Sequence, residues 1–322
     1  MAPHRARRRR TRRSGRRTLV HIVVASAVLV GGTAAGAVYV KAQAHDRRSL
    51  VSSPSASPGT SSSASAASSP SQETSVEPVT KPTVDRDALL TKAMKAVALE
   101  DGAEVSVAVF DIDSGEGAAY GEGAFDTASI VKVDILATLL LQAQDADRHL
   151  TATEKTYATA MITNSDNASA SALWDIIGQA DGLDAANKRF GLTDTSGGDG
   201  ALWGLTQTTA ADQLTLLQQV FGDDSELSEA SRTYLQGLMG EIAADQHWGV
   251  SAAADGTQWA LKNGWLARSS TGLWDINSIG RVTVDGAEYL VATLSNGNTT
   301  KAKGISVVEA AAKAAVAAFG SA

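Results

Sequence analysis

Hydrophobic and polar positions follow three different patterns along the chain. Leu19 to Val40 is almost continuously apolar over 22 residues. Residues 49–83 carry no apolar periodicity and are rich in serine, alanine and proline. From Val84 onward, helical and strand-like periodicities alternate to the end of the chain. The pattern therefore predicts an apolar N-terminal segment, a linker and one globular unit.

The globular unit begins and ends with elements that predict a sheet. Apolar spacings of three and four residues predict a helix over Asp85 to Glu100, and alternation predicts a strand over Ala103 to Asp113. A short strand near Ala118 to Gly121 precedes a mainly helical stretch from Ser129 to about Ile242. Three strands and an alanine-rich helix follow, near residues 259–262, 274–284, 288–294 and 303–319. This order predicts an α+β fold, in which an antiparallel sheet flanked by helices is interrupted by an inserted all-helical subdomain.

Residues 1–48 have the character of an export segment. Nine arginines lie between Arg5 and Arg17, shortly before the apolar run. As a helix, that run spans about 33 Å, which matches the hydrocarbon core of a membrane. Because the basic residues precede it, we expect a single-pass anchor with the globular unit outside the cell. The alternative is a cleaved signal and a secreted protein, since Ala42-Gln43-Ala44 has the form of a cleavage site.

Residues 49–83 predict a disordered linker, and residues 84–322 predict the domain that follows it. Twelve of the 25 residues from Val51 to Ser75 are serine, and all six prolines precede residue 84. A segment of this composition buries too little apolar surface to fold. The linker therefore predicts a boundary at about residue 84.

Charge and residue types exclude several classes of function. The first 50 residues hold 12 Lys/Arg and one acid, so the remainder holds 16 basic and 34 acidic residues, a net charge of −18. A body this acidic is not expected to bind nucleic acid, because a phosphate-binding face needs positive charge. The chain has no cysteine, and only His149 and His247 lie in the globular unit. We therefore expect no metal site and no cofactor.

With so few histidines, a nucleophilic serine needs a different base, and lysine is the obvious one. Ser129 and Lys132 precede the strongly apolar segment Val133 to Leu141. Three residues apart in a helix, their side chains share one face. Burial in such a helix lowers the pKa of a lysine, as a general base requires. The alternative is an ordinary N-capping serine followed by a solvated lysine.

Two further motifs place polar side chains downstream. Ser165-Asp166-Asn167 lies between two helical stretches, where it either caps the second helix or takes part in catalysis. Lys262-Asn263-Gly264-Trp265 follows the strand-like run that begins at Trp259. A lysine leaving a strand beside a glycine places positive charge along a cleft and lets a ligand approach the backbone. The alternative is a charged strand end followed by a turn.

In this order, the three motifs resemble those of the penicillin-binding protein and class A β-lactamase superfamily of serine acyl-transfer enzymes. The resemblance extends from about Asp85 to the C-terminus. Trp203 to Thr209 looks like the threonine-rich end of that superfamily's Ω loop. Trp274 to Val284 looks like the strand that follows its lysine motif.

The resemblance implies a role for each motif residue. The predicted catalytic residues are Ser129, Lys132, Ser165 and Lys262. By the resemblance, Ser129 is the nucleophile and Lys132 is its base. Ser165 relays the proton, and Lys262 attracts the substrate carboxylate. The predicted substrate-binding residues are Asn167, Asn263, Gly264 and Trp265. Asn167 holds the acyl side chain, and the backbone N–H groups of Ser129 and Trp265 form the oxyanion hole.

The chain departs from the superfamily pattern at two positions. Asn263 stands where threonine or serine is usual, and its longer side chain alters carboxylate recognition. No glutamate lies between Asp166 and Thr208, although class A enzymes use a glutamate there to activate the deacylating water. The acids nearest to that position, Asp194 and Asp199, are one methylene shorter, and we interpret them as turn residues.

Three functions remain open on the sequence alone. The first is an exported serine acyl hydrolase that forms an acyl-enzyme at Ser129 and hydrolyses β-lactams with weak turnover. The second is a D-alanyl-D-alanine peptidase acting on cell-wall peptides, and the third is a non-catalytic module that binds cell wall or a partner. The predicted partners are thus a small β-lactam or a cell-wall peptide and, through residues 1–48, the membrane.

Overall fold

The computed structural model of the protein describes residues 84–320. The predicted membrane segment 1–48 and the predicted linker 49–83 lie outside the described residues. Within residues 84–320, none of the helices has the length and apolar character that a membrane span requires.

A five-stranded antiparallel sheet organises the domain, with the strand order β2-β1-β7-β6-β5. Strands from the beginning and the end of the domain are neighbours, since Val107 of the first strand pairs with Thr293 of the last. Two short strands, β3 and β4, form a separate ladder. The strands are β1 (Glu104–Asp111), β2 (Gly117–Tyr120), β3 (Phe125–Asp126), β4 (Gln207–Thr208), β5 (Trp259–Ala267), β6 (Trp274–Val284) and β7 (Ala287–Asn298). The order leaves β5, which carries the lysine motif, at one edge of the sheet.

Helices cover both faces of the sheet. Val107 and Val109 pack into a core with the first and last helices, whereas Ala108 from the same strand packs into the core of the inserted helices. Alternation along a strand explains this division, because successive side chains point to opposite faces. The helices are α1 (Arg86–Met94), α2 (Val131–Asp145), α3 (Ala152–Thr163), α4 (Asn167–Ile177), α5 (Gln179–Phe190), α6 (Ala210–Phe221), α7 (Glu229–Gly240) and α8 (Lys301–Ala317).

The predicted fold class is confirmed as an α+β fold built on an antiparallel sheet with inserted helices. The two largest errors in the predicted element boundaries are at α1 and β5. Helix α1 begins at its Asp85 cap but ends at Met94, because the backbone then turns with Val97 N–H donating to Met94 O at 3.0 Å. Strand β5 continues to Ala267, since it pairs with β6 along its whole length. The lysine motif therefore lies inside a strand and not at its end.

Helix α2 forms the centre of the inserted subdomain and brings the first motif into the core. All of its 15 residues except Gln142, Gln144 and Asp145 are buried. The helix is therefore apolar nearly all round, as expected for a helix packed on every side. Any charged group at its N-terminal turn is consequently removed from water.

Candidate active site

Ser129 lies in a short 3-10 turn, Ala128–Ile130, that leads directly into α2. The turn is strained, because Ala128 has a positive φ of 47°, which residues with a side chain rarely adopt. Ser129 itself is half-buried. Among the described residues, its hydroxyl makes no hydrogen bond. A strained turn with an unengaged hydroxyl at its tip is suited to presenting a nucleophile.

The amide of Asn277 holds this turn from β6. Its Nδ2 atom donates to Asp126 O at 2.9 Å and to Thr127 O at 3.0 Å. Its Oδ1 atom accepts from Ser295 N at 3.2 Å, so the buried amide is used on both sides. Buried polar groups with satisfied partners fix geometry. Asn277 therefore fastens the serine turn to the sheet, a role that the sequence did not reveal.

Gly264 packs against the same turn from β5. A Cβ atom at this position would lie 2.7 Å from Thr127 O, 2.9 Å from Ser129 N and 3.0 Å from Ile130 N. These atoms belong to the backbone and cannot rotate away. The need for glycine at this position thus has a cause that the sequence did not indicate: Gly264 makes room for the serine turn.

Lys132 is fully buried one helical turn after Ser129. Its Nζ atom donates to Ser165 O at 2.7 Å, to Ser165 Oγ at 3.1 Å and to Asn167 Oδ1 at 2.8 Å. None of these acceptors is charged, so burial dominates and lowers the pKa of Lys132 to about 7, although Asp166 acts in the opposite direction. Lys132 Nζ makes no hydrogen bond to Ser129 in the described structure. Lys132 is nevertheless poised between its charged and neutral forms near neutral pH.

Ser165 connects the two lysines of the site. Its Oγ atom accepts from Lys132 Nζ and from Lys262 Nζ, at 3.1 Å in both cases. The residue has a left-handed φ of 56°, which turns the chain between α3 and α4. The next residue, Asp166, caps α4 by accepting from Ser169 N at 2.7 Å, and hydrogen bonds from Ser169 lower the pKa of that carboxyl. Capping and site geometry are therefore combined in one turn, whereas the sequence presented them as alternatives.

Lys262 is the second buried lysine of the site. It is fully buried in β5, and its Nζ atom also donates to Asn263 O at 3.0 Å. Burial and the nearby Lys132 together lower the pKa of Lys262 well below its usual range. Each of these two buried lysines opposes the protonation of the other. An anionic ligand bound beside them would offset this repulsion and would therefore be stabilised when both amines are charged.

Asn263 and Trp265 are both held by neighbours outside the three motifs. The Asn263 amide is fully buried, and its Nδ2 atom donates to Gln246 O at 2.8 Å and to Trp248 O at 3.0 Å, while its Oδ1 atom has no hydrogen-bond partner. Because both amide protons are used in this way, the side chain braces the chain before β5. The Trp265 ring packs on Trp248 and lies under Lys301, so only its backbone N–H group is a candidate for substrate binding.

The 192–206 loop, which we call the site loop, covers Lys132. The ring of Trp203 lies 4.9 Å from Lys132 Nζ, and its Nε1 atom donates to Ser171 Oγ at 3.1 Å. Asp194 and Asp199 are both exposed, and neither forms a hydrogen bond or an ion pair with a motif residue. The loop thus contributes an aromatic ring, and no carboxylate, to the described site. The sequence pattern identified the loop but gave no sign of the ring's position.

Within residues 84–320, no group of three or more His, Asp or Glu side chains is arranged to hold a metal ion. His149 is exposed, while His247 Nε2 lies 3.0 Å from Ile242 O and its ring contacts Trp259.

Comparison with known proteins gives the same fold. The chain matches PBP-A at 20% identity over 73% of its length and 97% of the other chain, with a TM-score of 0.63. It matches TLA-3 extended-spectrum beta-lactamase at 17% identity, covering 71% and 97% of the two chains, with a TM-score of 0.63. A beta-lactamase from Xanthomonas campestris pv. campestris matches at 20% identity, covering 71% and 95%, with a TM-score of 0.57. A search of curated proteins found no significant match.

These matches define a fold of the β-lactamase and penicillin-binding protein type. A sequence model described as the beta-lactamase enzyme family matches residues 148–319, which is more than half of the chain. The protein belongs to this family. The matched range contains the Ser165 and Lys262 motifs, whereas Ser129 and Lys132 precede it.

Proposed function

We propose that the protein forms an acyl-enzyme at Ser129 and that β-lactams are its substrates. The observation that carries the proposal is the environment of Lys132, a buried amine with uncharged hydrogen-bond acceptors, one helical turn after a serine whose hydroxyl is unengaged. A general base works best when its pKa is near the working pH, and burial brings the pKa of Lys132 to about 7.

The net effect of the proposed reaction on protons is to move one from Ser129 to the leaving nitrogen. Ser129 Oγ bonds to the carbonyl carbon of the substrate, and its proton passes to Lys132 Nζ. The carbon–nitrogen bond then breaks, and the leaving nitrogen takes a proton from Ser165, which regains one from Lys132. The hydrogen bond from Lys132 Nζ to Ser165 Oγ supports this relay because it links the base to the hydroxyl at 3.1 Å. Lys262, at the same oxygen, is placed to attract the substrate carboxylate.

Slow release of the acyl group follows from the site loop. Hydrolysis of an acyl-enzyme requires a base for the incoming water. The described part of the loop places Trp203 beside Lys132 and no carboxylate in contact with the motif residues. One solved relative is a mutant of PBP-A in an acyl-enzyme complex with penicillin G. We infer that this protein also forms a long-lived acyl-enzyme and turns over weakly.

Intact mass spectrometry tests the acylation. Mixing the protein with penicillin G is expected to add the mass of one penicillin, and the adduct is expected to persist well beyond its formation time. Ser129→Ala is expected to show no adduct, because the nucleophile is gone. Ser306→Ala, at an exposed serine of α8 outside the three motifs, serves as the matched control and should still be acylated. Wild-type protein that gives neither an adduct nor hydrolysed penicillin would contradict the proposal.

A D-alanyl-D-alanine peptidase is the second candidate, favoured because the described site loop brings no carboxylate into contact with the motif residues. In a β-lactam and in a D-alanyl-D-alanine terminus alike, the nucleophile attacks the carbonyl carbon of an amide. The same residues could therefore catalyse both reactions. Release of D-alanine from a muropeptide, dependent on Ser129, would favour the peptidase. Wall binding that survives Ser129→Ala, without acylation of the wild type, would favour the non-catalytic module.

We also propose that residues 1–48 anchor the domain outside the cell and that residues 49–83 separate it from the membrane. The apolar run and the preceding arginines support this. The full chain is expected in the membrane fraction with an intact N-terminus, as read by mass spectrometry of the purified protein. A mature chain that begins at His45 would instead establish cleavage after Ala44.

A further inference from the structure

Asp134 is a buried carboxyl group that the proposed mechanism does not use. It lies in α2, two residues after Lys132, with 1% of its surface exposed. Neither of its oxygens has a hydrogen bond of normal geometry, and nor has Thr138 Oγ1 one helical turn later. Asn187 of α5, which is 1% exposed, lies beside it and acts as a weak hydrogen-bonding neighbour, although its own amide atoms also make no bond of normal geometry. Unpartnered polar atoms are rare in protein interiors and require an explanation.

The charges around Asp134 are all negative. Asp184 on α5 and Asp212 on α6 repel a negative charge on Asp134, and no cation among the described residues offsets this repulsion. An isolated carboxylate in the interior is very costly, and the usual response is to keep its proton. Burial accordingly raises the pKa of Asp134 to about 8, with smaller contributions from the two aspartates and an opposing one from Asn187. A protonated acid both donates and accepts, which is the complement of an Asn amide.

The two neighbouring aspartates hold the site loop. Asp184 Oδ1 accepts from Gly197 N at 2.8 Å. Asp212 Oδ2 accepts from Asp194 N at 2.8 Å and from Thr195 Oγ1 at 2.6 Å. A negative charge on Asp134 would therefore arise next to the carboxylates that fix the loop, and it would favour rearrangements that bring in water or separate the acids.

We propose that Asp134 is a positioning residue whose proton keeps the site loop closed over Lys132, and that its ionisation at alkaline pH loosens the loop and its Trp203. The geometry that supports this is the burial of Asp134 beside Asn187 of α5, together with the hydrogen bonds by which Asp184 of α5 and Asp212 of α6 hold residues 194–197. The same helix carries Lys132 and Asp134, so the loop is held to the helix that supplies the proposed base. The inference extends the proposed function, but its first test does not depend on acylation.

Hydrogen exchange of the full chain, without any β-lactam, tests the inference. When the pH is raised from about 6.5 to about 9, the protection factors of the amides of residues 194–197 are expected to fall about tenfold, after correction for the pH dependence of the intrinsic exchange rate. Asp134→Asn carries no titratable proton and should remove this excess. Asp145→Asn, an exposed acid near the other end of α2, is the matched control and should retain it. A wild-type profile with no excess loss overturns the inference even if Asp134→Asn fails to fold, and so does an excess that persists in Asp134→Asn.

The lifetime of the penicillin adduct gives a second measurement. Once formed at neutral pH, the wild-type adduct is expected to decay several-fold faster after a shift to about pH 9, relative to the adduct of Asp134→Asn, because water gains access beneath Trp203. Equal acceleration in both proteins contradicts the inference. If no adduct forms at all, the proposed function fails while the exchange profile still decides the role of Asp134.

Discussion

Lys132→Met is expected to reduce the rate of acylation by penicillin G by about a hundredfold to ten-thousandfold, the usual contribution of a positioned general base. Methionine matches the length of the lysine stem but cannot take a proton. The loss should appear in the rate of adduct formation measured by quenched mass spectrometry. Folding should survive, because the change removes an amine that burial penalises.

The pH dependence of the wild-type rate checks the same assignment. Lys132 accepts a proton only in its neutral form, and its pKa lies at about 7 instead of 10.5. The neutral fraction at neutral pH is therefore about a thousand times that of an ordinary lysine. The acylation rate should rise from about pH 6 and level off above about pH 8, as the neutral form becomes dominant. A rate that still rises towards pH 10 would indicate a base with an unshifted pKa.

A lysine in the same subdomain provides the control for Lys132. Lys155 lies exposed in α3, and Lys155→Met should leave both the rate and its pH profile unchanged. The melting temperature of Lys132→Met should equal or exceed that of the wild type. If Lys132→Met melted far below the wild type, its slow acylation would report lost structure, and the role of the amine would then rest on the pH profile.

Gly264→Ala is expected to damage the site without removing any functional group. The new methyl group would lie within 3.0 Å of three backbone atoms of the serine turn, Thr127 O, Ser129 N and Ile130 N. Overpacking of this kind typically costs about 1–3 kcal/mol of folding stability. A displacement of the nucleophile by about 1 Å can cost about a hundredfold in rate. Chemical denaturation and the acylation rate should therefore both change.

The control for Gly264→Ala is a glycine with room around it. Gly237 lies in α7, where a new methyl group would meet no neighbouring atom within 4 Å, and its φ is not positive. Gly237→Ala should therefore be neutral or stabilise the protein by about 0.5–1 kcal/mol, because alanine favours a helix. Wild-type rates in Gly264→Ala would show that β5 can move away from the serine turn.

The fold was predictable because its signals are local and periodic. Alternation in Val105, Val107 and Val109 identified β1, and the apolar run from Val133 to Leu141 identified α2. The three motifs were identified by the short spacing of their residues, which local structure preserves. No local pattern in the sequence predicts that the three motifs lie close together. They do so because β5 and the turn between α3 and α4 meet above the start of α2.

The residues that support the site were harder to predict. Around Asn277 and Asn263, the sequence shows only the alternation of apolar and polar residues that is typical of a strand. Both side chains are nevertheless buried and hydrogen-bond to the backbone of other segments. Trp203 gains its place from the path of a loop without periodicity, and Asp134 differs from a surface acid only by its burial. Such roles depend on which elements pack together, and hydrophobic patterning does not encode those partners at the level of single side chains.

The two equal contacts at Ser165 Oγ also determine the direction of a hydrogen atom. A hydroxyl oxygen has two lone pairs and one proton. When both lysines donate to this oxygen, at 3.1 Å each, its lone pairs are occupied. The hydroxyl proton must then point away from both amines, and a substrate atom that enters the cleft as an acceptor would meet a donor that is already oriented. The paired amines thus aim the Ser165 hydroxyl, so that part of the geometric cost of proton transfer is met when the protein folds.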